Sequence, residues 1–504
     1  MIIEHMGFIS LIPPLLAVGL AIITKNVLVS LFTGLFAGVL LLTSGNPITA
    51  TTETIGEYLF PQLTDSYNAA VLVLLLFIGG FVGLIEKSGG SAALAQQAVR
   101  FLTTKAKTQM AAWFGGLMIF FSDLGSPLIV GPIFEKIFDK AKISREKLAW
   151  IIDSTASPLA VMIPFIGWGV YIMGLIRQEF ENIGSDMSEF TVFLEVIPFQ
   201  LYPILAVSIV PLIALTKLDF GPMARAEKRV EETGELYWKN SRPLRYSEKI
   251  DENQKSYAIL IWLPLLTLFI TLFGLLYTYG FPFEPVAGGD FRVALSTAYL
   301  FASIVLIGLM VLLRVKRFSE AFELYTKGMQ KMVFVLATLV LAWALGTVIS
   351  EMGTANYVIE LLQDSVPSYL VPAILFIVAV CISLATATSW GTFAIMMPFA
   401  IPMAFGLDAH LAVCIGAVLS GGIFGDHCSP ISDTTILSST GAGCDNVDHV
   451  KTQFPYAVMN GLIAFVTFIL AGITGSSLVF LIALSLMIMT VFFLSKLKPK
   501  LSQV

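Results

Sequence analysis

The chain has 504 residues, of which 56% are hydrophobic and 13% charged, against norms of roughly 45–50% and about 25% for soluble domains. With a mean hydropathy of +0.84 it needs a bilayer as its second solvent, which excludes a soluble enzyme, a nucleic-acid binder and a secreted disulfide scaffold. The formal charge of -5, from 30 basic and 35 acidic residues, indicates no polyanionic partner.

Measured against the roughly 20 apolar residues that cross a bilayer, the hydrophobic blocks in chain order lie near 8–24, 27–43, 69–86, 110–134, 148–176, 191–216, 257–279, 293–313, 330–350, 369–406, 411–438, 456–474 and 477–495. The first has no Lys or Arg before it and no small-residue cleavage pattern after it, which predicts a retained helix and not a signal peptide. Segment 44–68 carries Glu53, Glu57 and Asp65 and no base, so it is expected outside. Block 110–134 has Lys87, Arg100, Lys105 and Lys107 before it and Lys136, Lys140, Lys142, Arg145 and Lys147 after it, and it breaks at Ser122-Asp123-Leu124-Gly125-Ser126-Pro127. Both flanks belong on the cytoplasmic side, which predicts a re-entrant hairpin. Segment 217–256, with nine bases and eight acids, reads as a solvated cytoplasmic linker. Block 369–406 breaks at Thr386-Ala387-Thr388-Ser389-Trp390-Gly391-Thr392 and has no base on either flank, which predicts a hairpin entering from outside.

The expected fold is therefore an all-α polytopic membrane protein with about eleven transmembrane helices and two re-entrant hairpins, its N-terminus outside and its C-terminus in the cytoplasm. On this scheme only Arg177 and Arg292 of the 30 bases lie outside. The order of parts also repeats. Ile85-Glu86-Lys87-Ser88-Gly89 and Ile349-Ser350-Glu351-Met352-Gly353 each end an apolar segment, and each is followed by a broken hairpin and a segment interrupted at Ser157-Pro158 or Ser429-Pro430. Residues 1–216 are read as a first inverted repeat, with helices in 8–43, a hairpin at 110–134 and a broken helix at 148–176. Residues 217–256 link it to a second repeat at 257–474, with a hairpin at 369–406 and a broken helix at 411–438, and 477–495 is an additional helix. Inverted repeats with broken helices are the pattern of secondary transporters, because halves of opposite orientation supply two access states of similar energy.

The most informative stretch runs from Gly421 to Thr435 and places Asp426, His427, Ser429, Ser432, Asp433, Thr434 and Thr435 in an apolar block. A charge at the bilayer centre costs at least ~2.5–3.5 kcal/mol, so two carboxylates there require compensation. Pro430 removes a helix donor and frees carbonyls, giving an oxygen-rich set suited to Na+ or H+. Asp153, Ser154, Thr155 and Ser157 offer the same chemistry from the first half, and the hairpin tips add Ser122, Asp123, Ser126, Thr386, Thr388 and Ser389. Trp168 and Trp390 are packing residues or the walls of a solute pocket. Glu86 and Glu351 read as ordinary interfacial carboxylates. Gly34-x-x-x-Gly38, Gly79-x-x-x-Gly83 and Gly421-x-x-x-Gly425 predict close helix packing. No Walker A loop is present, and Cys381, Cys414, Cys428 and Cys444 form no C-x-x-C pair and read as free, buried thiols.

The run Phe424-Gly425-Asp426-His427-Cys428-Ser429-Pro430-Ile431-Ser432-Asp433-Thr434-Thr435, with Thr388-Ser389-Trp390-Gly391-Thr392 upstream, resembles the NhaC-type sodium/proton antiporter family of the ion transporter superfamily. The resemblance implies scaffold and transport domains, a homodimer and elevator-type movement. It carries Asp426, Ser429, Asp433, Thr434, Thr388 and Ser389 across as ion-site residues. His427 stands where the family pattern leads one to expect lysine. The expected function is sodium-coupled secondary transport in a bacterial inner membrane, nominally Na+/H+ antiport, with Na+ near Asp426, Asp433 and Asp153 and no cofactor. The alternative is sodium-coupled movement of a small amino acid or carboxylate between the hairpin tips. An intramembrane aspartyl protease or a channel leaves the repeat and the hydroxyl-rich hairpins without a role, so no enzyme is expected.

Overall fold

The computed structural model describes residues 5–24, 26–90, 93, 104–123, 125–243, 257–281, 283, 286, 288–363 and 365–501. Arg100, one of the bases flanking the first hairpin, lies outside the described residues, as do 244–256 of the linker. Among the described residues the chain is helical with no strand. The main helices are α1 (Ile12–Thr24), α2 (Val27–Leu42), α3 (Ser66–Lys87), α4 (Lys105–Met118), α5 (Gly125–Lys140), α6 (Arg145–Ser154), α7 (Gly167–Ile183), α8 (Leu201–Thr216), α9 (Gly221–Thr233) and α10 (Ile259–Thr278). They continue as α11 (Gly288–Leu312), α12 (Phe318–Lys331), α13 (Val333–Glu351), α14 (Val371–Thr386), α15 (Ser389–Gly406), α16 (Leu411–Cys428), α17 (Asp433–Ala442), α18 (Asn446–Thr474) and α19 (Val479–Leu501). Nine described helical stretches are long and apolar enough to cross a membrane, or up to 11 if each bent pair is one span.

The core lies where the sequence is most interrupted. α16 is 83% buried over its apolar window, whereas the first span is only 28% buried; the peripheral helices present apolar side chains outward, as a lipid-facing surface does. Small residues allow the inner helices to meet. A Cβ on Gly421 would stand 2.5 Å from the Phe376 carbonyl oxygen of α14, and one on Gly425 would stand 2.7 Å from that of Val380, so larger residues would force α14 and α16 apart. Gly131 of α5 and Gly441 of α17 touch backbone to backbone in the same way, which presses the second arm of the first hairpin onto the helix that follows Pro430.

Both proposed hairpins are helix–break–helix elements, but their arms differ. α4 and α5, of 14 and 16 residues, are short. α14 and α15 belong to stretches that are each long enough to span by themselves, joined at Ala387, whose φ of +56° takes the left-handed cap position that glycine usually fills.

Two polar segments are more structured than their charge suggested. Residues 44–68 hold short helices, and 47–64 turn back from α2 at 120°. In the linker, α9 is amphipathic and buries Met223, Ala226, Arg229 and Val230. Burial holds the Glu227 carboxyl above the usual range despite nearby Lys147; its Oε1 accepts from the Ser144 amide at 2.8 Å and hydroxyl at 2.7 Å. The expectation of a solvated linker therefore fails over 221–233, because its apolar residues recur at helical spacing and outweigh the charge between them. Cys381 is exposed on the apolar outer face, contrary to the buried-thiol reading, while the other three cysteines are buried and free.

Candidate functional site

α16 ends at Cys428 because Pro430 cannot continue it, and α17 starts again after Ser432. The four residues between bend the chain back on Asp426, which is 4% exposed. Asp426 Oδ1 accepts from the Ser432 hydroxyl at 2.9 Å and Oδ2 from the Thr434 hydroxyl at 2.8 Å, and the two hydroxyls lie 3.0 Å apart. Ser432 is the N-cap residue of α17, yet its side chain makes no cap bond. The positive end of that helix dipole is therefore left next to the carboxylate.

Asp153, fully buried at the end of α6, gathers a second set. Its oxygens accept from Gln453 Nε2 at 2.7 Å, Ser438 Oγ at 3.1 Å and Thr435 Oγ1 at 3.4 Å, and His449 Nε2 is 4.0 Å away. Gln453 Nε2 also donates to the His427 carbonyl at 2.9 Å, one of the oxygens that the proline break releases. Asp123 sits at the break between α4 and α5, next to Ser122. The hydroxyls of Ser126, Ser157 and Ser429 are buried without a hydrogen-bond partner among the described residues. An orphaned buried hydroxyl is costly, and three of them come from the first hairpin and the two Ser-Pro breaks.

Other candidates take structural positions. Asp433 is exposed: it follows the inward Ser432 in the first turn of α17, where the helical rotation of one residue turns it outward. Its assignment beside Asp426 as an ion ligand is corrected on that ground. Thr386 bonds back to the Ile382 carbonyl at 2.8 Å, Thr388 caps α15, and Ser389 bonds the Gly422 carbonyl at 3.2 Å. Of the three, Ser389 fastens the second break against α16, one helical turn before Asp426. Ser122 donates to Glu86 at 2.9 Å, and Glu86 pairs with Lys331 at 2.7 Å, so Glu86 anchors a hairpin tip and is more than an interfacial acid. Trp168 and Trp390 pack against each other, with ring centroids 4.4 Å apart. His427 Nδ1 meets the Tyr202 hydroxyl at 3.1 Å. Ser154 lines a small internal cavity.

The model of the Na+/H+ antiporter family matches residues 2–167 and 159–473. The chain belongs to the Na+/H+ antiporter family. An uncharacterized protein of Haemophilus influenzae is 32% identical to this antiporter-family chain over 503 residues, which is 97% of the chain and 95% of the relative. The malate-2H+/Na+-lactate antiporter of Bacillus subtilis is 36% identical over 106 residues, 21% of this chain and 22% of its own. Among solved structures, the YdaH transporter of Alcanivorax borkumensis aligns with a TM-score of 0.56 at 17% identity over 82% of this chain and 88% of that one, a likeness of fold. This member of the Na+/H+ antiporter family is thus an integral membrane protein of a sodium-coupled transporter class.

Sequence reasoning passed over the polar face of α18 in this antiporter-family protein. His449, Gln453, Tyr456 and Asn460 are all buried, and their spacing of four, three and four residues puts them on one side of the helix. That spacing was the available signal; His449 and Gln453 lie in the polar stretch before the apolar block at 456–474 and, with Tyr456 and Asn460, carry no formal charge to mark them.

Proposed function

We propose that the chain exchanges Na+ for H+ across the cytoplasmic membrane, with Asp426 as the carboxylate both cations use. The observation that carries this reading is the buried Asp426 whose two oxygens are met by the Ser432 and Thr434 hydroxyls. A carboxylate so enclosed needs either a cation or a proton, since an uncompensated charge is too costly there. Hydroxyls suit both states, because they donate to the carboxylate and can rotate to offer lone pairs to a cation. Ser429, with its unpartnered hydroxyl, completes an oxygen set from the same break, and Ser126, Ser157 and Ser154 supply oxygens from the facing half. Asp153 holds the second negative charge near the site. Competition for one carboxylate makes the exchange obligatory.

The basic face that carries α9 is the cytoplasmic one by the distribution of Lys and Arg, with the N-terminus outside and the C-terminus inside. Two inverted repeats moving as scaffold and transport units, in an elevator-type cycle within a homodimer, are the proposed means of alternating access. The reading in which a small organic acid or amino acid is co-transported is favoured by the Bacillus relative and by the buried Trp168 Nε1, which has no hydrogen-bond partner among the described residues.

Na+ is expected to raise the thermal unfolding temperature of the purified protein in proportion to the logarithm of its concentration, because a ligand bound only by the folded state stabilises by mass action. K+ and choline at equal ionic strength serve as controls. Stabilisation by an organic acid or amino acid alone, with none from Na+, would turn the assignment to the second reading.

A further inference from the structure

Two cavities lie on either side of the contact between Tyr456 and the Asp219-Phe220 turn. The larger, about 1150 Å³, is lined by residues at the end of α8 and the start of α9, including Asp219 and Phe220. The smaller, about 10 Å³, has room for about one water; Ser154, His427, Gln453 and Asn460 line it. It adjoins Asp153, since its wall residue Gln453 bonds that carboxylate, and the same amide bonds the carbonyl of His427, next in the chain to Asp426. His427 Nε2 and Asn460 Oδ1 are both buried without a partner among the described residues, so this pocket is polar and under-satisfied.

Tyr456 separates the two. It lines the small cavity, its hydroxyl donates to Asp219 Oδ1 at 3.1 Å and accepts from the Phe220 amide at 3.4 Å, and its ring packs between Phe220 at 4.3 Å and Trp150 at 4.7 Å. One side chain thus touches the wall of the outer cavity at one end and lines the inner one with its body. Each neighbour comes from a different helix or its flank: Trp150 from α6, which carries Asp153; Asp219 and Phe220 from the turn between α8 and α9; Tyr456 itself from α18.

We propose that Tyr456 is the cytoplasmic-side barrier of the ion path, a single phenol ring latched to Asp219 that shuts the polar pocket beside Asp153 from the basic-face cavity. The proposal rests on reading Asp426 as the ion site. A ring held by two hydrogen bonds at its hydroxyl and two stacking contacts can swing without unfolding a helix, so the outer cavity and the pocket become one polar passage when it moves. The unpartnered nitrogen of His427 and amide oxygen of Asn460 then line the passage next to Ser154.

The test uses full-length protein whose four cysteines are replaced, carrying Ser154→Cys or, in a second protein, Asn460→Cys as reporter. Sealed vesicles of each orientation are treated with a membrane-impermeant cationic thiosulfonate. Tyr456→Ala is expected to speed labelling from the α9 face by about tenfold or more, because removing a packed ring opens the gap it fills, and to leave labelling from the other face unchanged. Tyr456→Phe, which keeps the ring and loses the hydroxyl's bonds to Asp219 and the Phe220 amide, is expected to speed it about fivefold or more, the weight of at least one hydrogen bond. Unchanged labelling at both reporters in Tyr456→Ala, or faster labelling from the opposite face, overturns the proposal. Radiolabelled Na+ uptake by the parent protein is read separately. Should uptake be absent while Tyr456→Ala still opens the pocket, the cargo reading falls and the barrier stands. With uptake present and labelling unchanged, the barrier falls and the cargo reading stands.

Discussion

Asp426→Asn is expected to abolish sodium-dependent transport, lowering it by about 100-fold or more, the weight of one unit charge opposite a cation in a partly dry site. The fold should survive. Asparagine keeps an oxygen to accept from Ser432, and its amide can donate to Thr434 in place of the bond that Oδ2 receives. The measurement is initial Na+ uptake into proteoliposomes beside a thermal unfolding curve, so that loss of transport is separated from loss of protein. Asp433→Asn supplies the contrast: it removes an exposed carboxylate seven residues away and is expected to leave uptake within about twofold, the range of a screened surface charge. Transport that survives Asp426→Asn, or that is lost with Asp433→Asn while the fold is intact, would place the ion elsewhere.

The second large effect concerns stability. Arg229 of α9 makes a two-pronged pair with Glu146 of α6, at 2.9 and 3.0 Å, with side chains 6% and 2% exposed. The same guanidinium donates to the Glu235 and Leu236 carbonyls and covers the Trp238 ring at 4.4 Å. Arg229→Ala leaves the Glu146 charge buried and unpaired, which costs about 3–5 kcal/mol, and is expected to lower the unfolding temperature clearly. The double variant Arg229→Ala with Glu146→Gln should recover a substantial part of that loss, since the uncompensated charge is then gone. Full additivity of the two single effects would show that the pair does not couple the helices. Because α6 carries Asp153 at its far end, the same fastening positions half of the site, and sodium affinity should fall with stability in Arg229→Ala.

The acids were legible in the sequence because a charge in an apolar block is expensive wherever the helix ends fall; Asp426 and Asp153 stand out without any structure. Their partners were harder to read. Ser432 and Asp433 are adjacent and chemically alike as oxygen donors, yet a single step in the first turn of α17 sends one to Asp426 and the other to the surface. Gln453 and His449 are uncharged and sit 27 and 23 residues beyond Asp426 in the chain, so only helical spacing hinted at them. Glu86 looked like an interfacial acid because its partners, Ser122 and Lys331, come from distant elements. α9 was hidden by its own charge: counting nine bases and eight acids in 217–256 conceals the period on which Met223, Ala226 and Val230 recur. Trp168 and Trp390, each beside a glycine and each a plausible pocket wall, were found against one another, a relation that spacing across more than 200 residues does not encode.

The central claim is exchange of Na+ for H+ at one carboxylate, and the direct measurement is lumenal pH in sealed proteoliposomes given an inward Na+ gradient with no organic solute present. Each Na+ that enters should expel protons, so the lumen is expected to become alkaline, at a rate that rises with Na+ and vanishes in Asp426→Asn. Na+ uptake that leaves lumenal pH unchanged and starts only when a carboxylate or amino acid is added would contradict it.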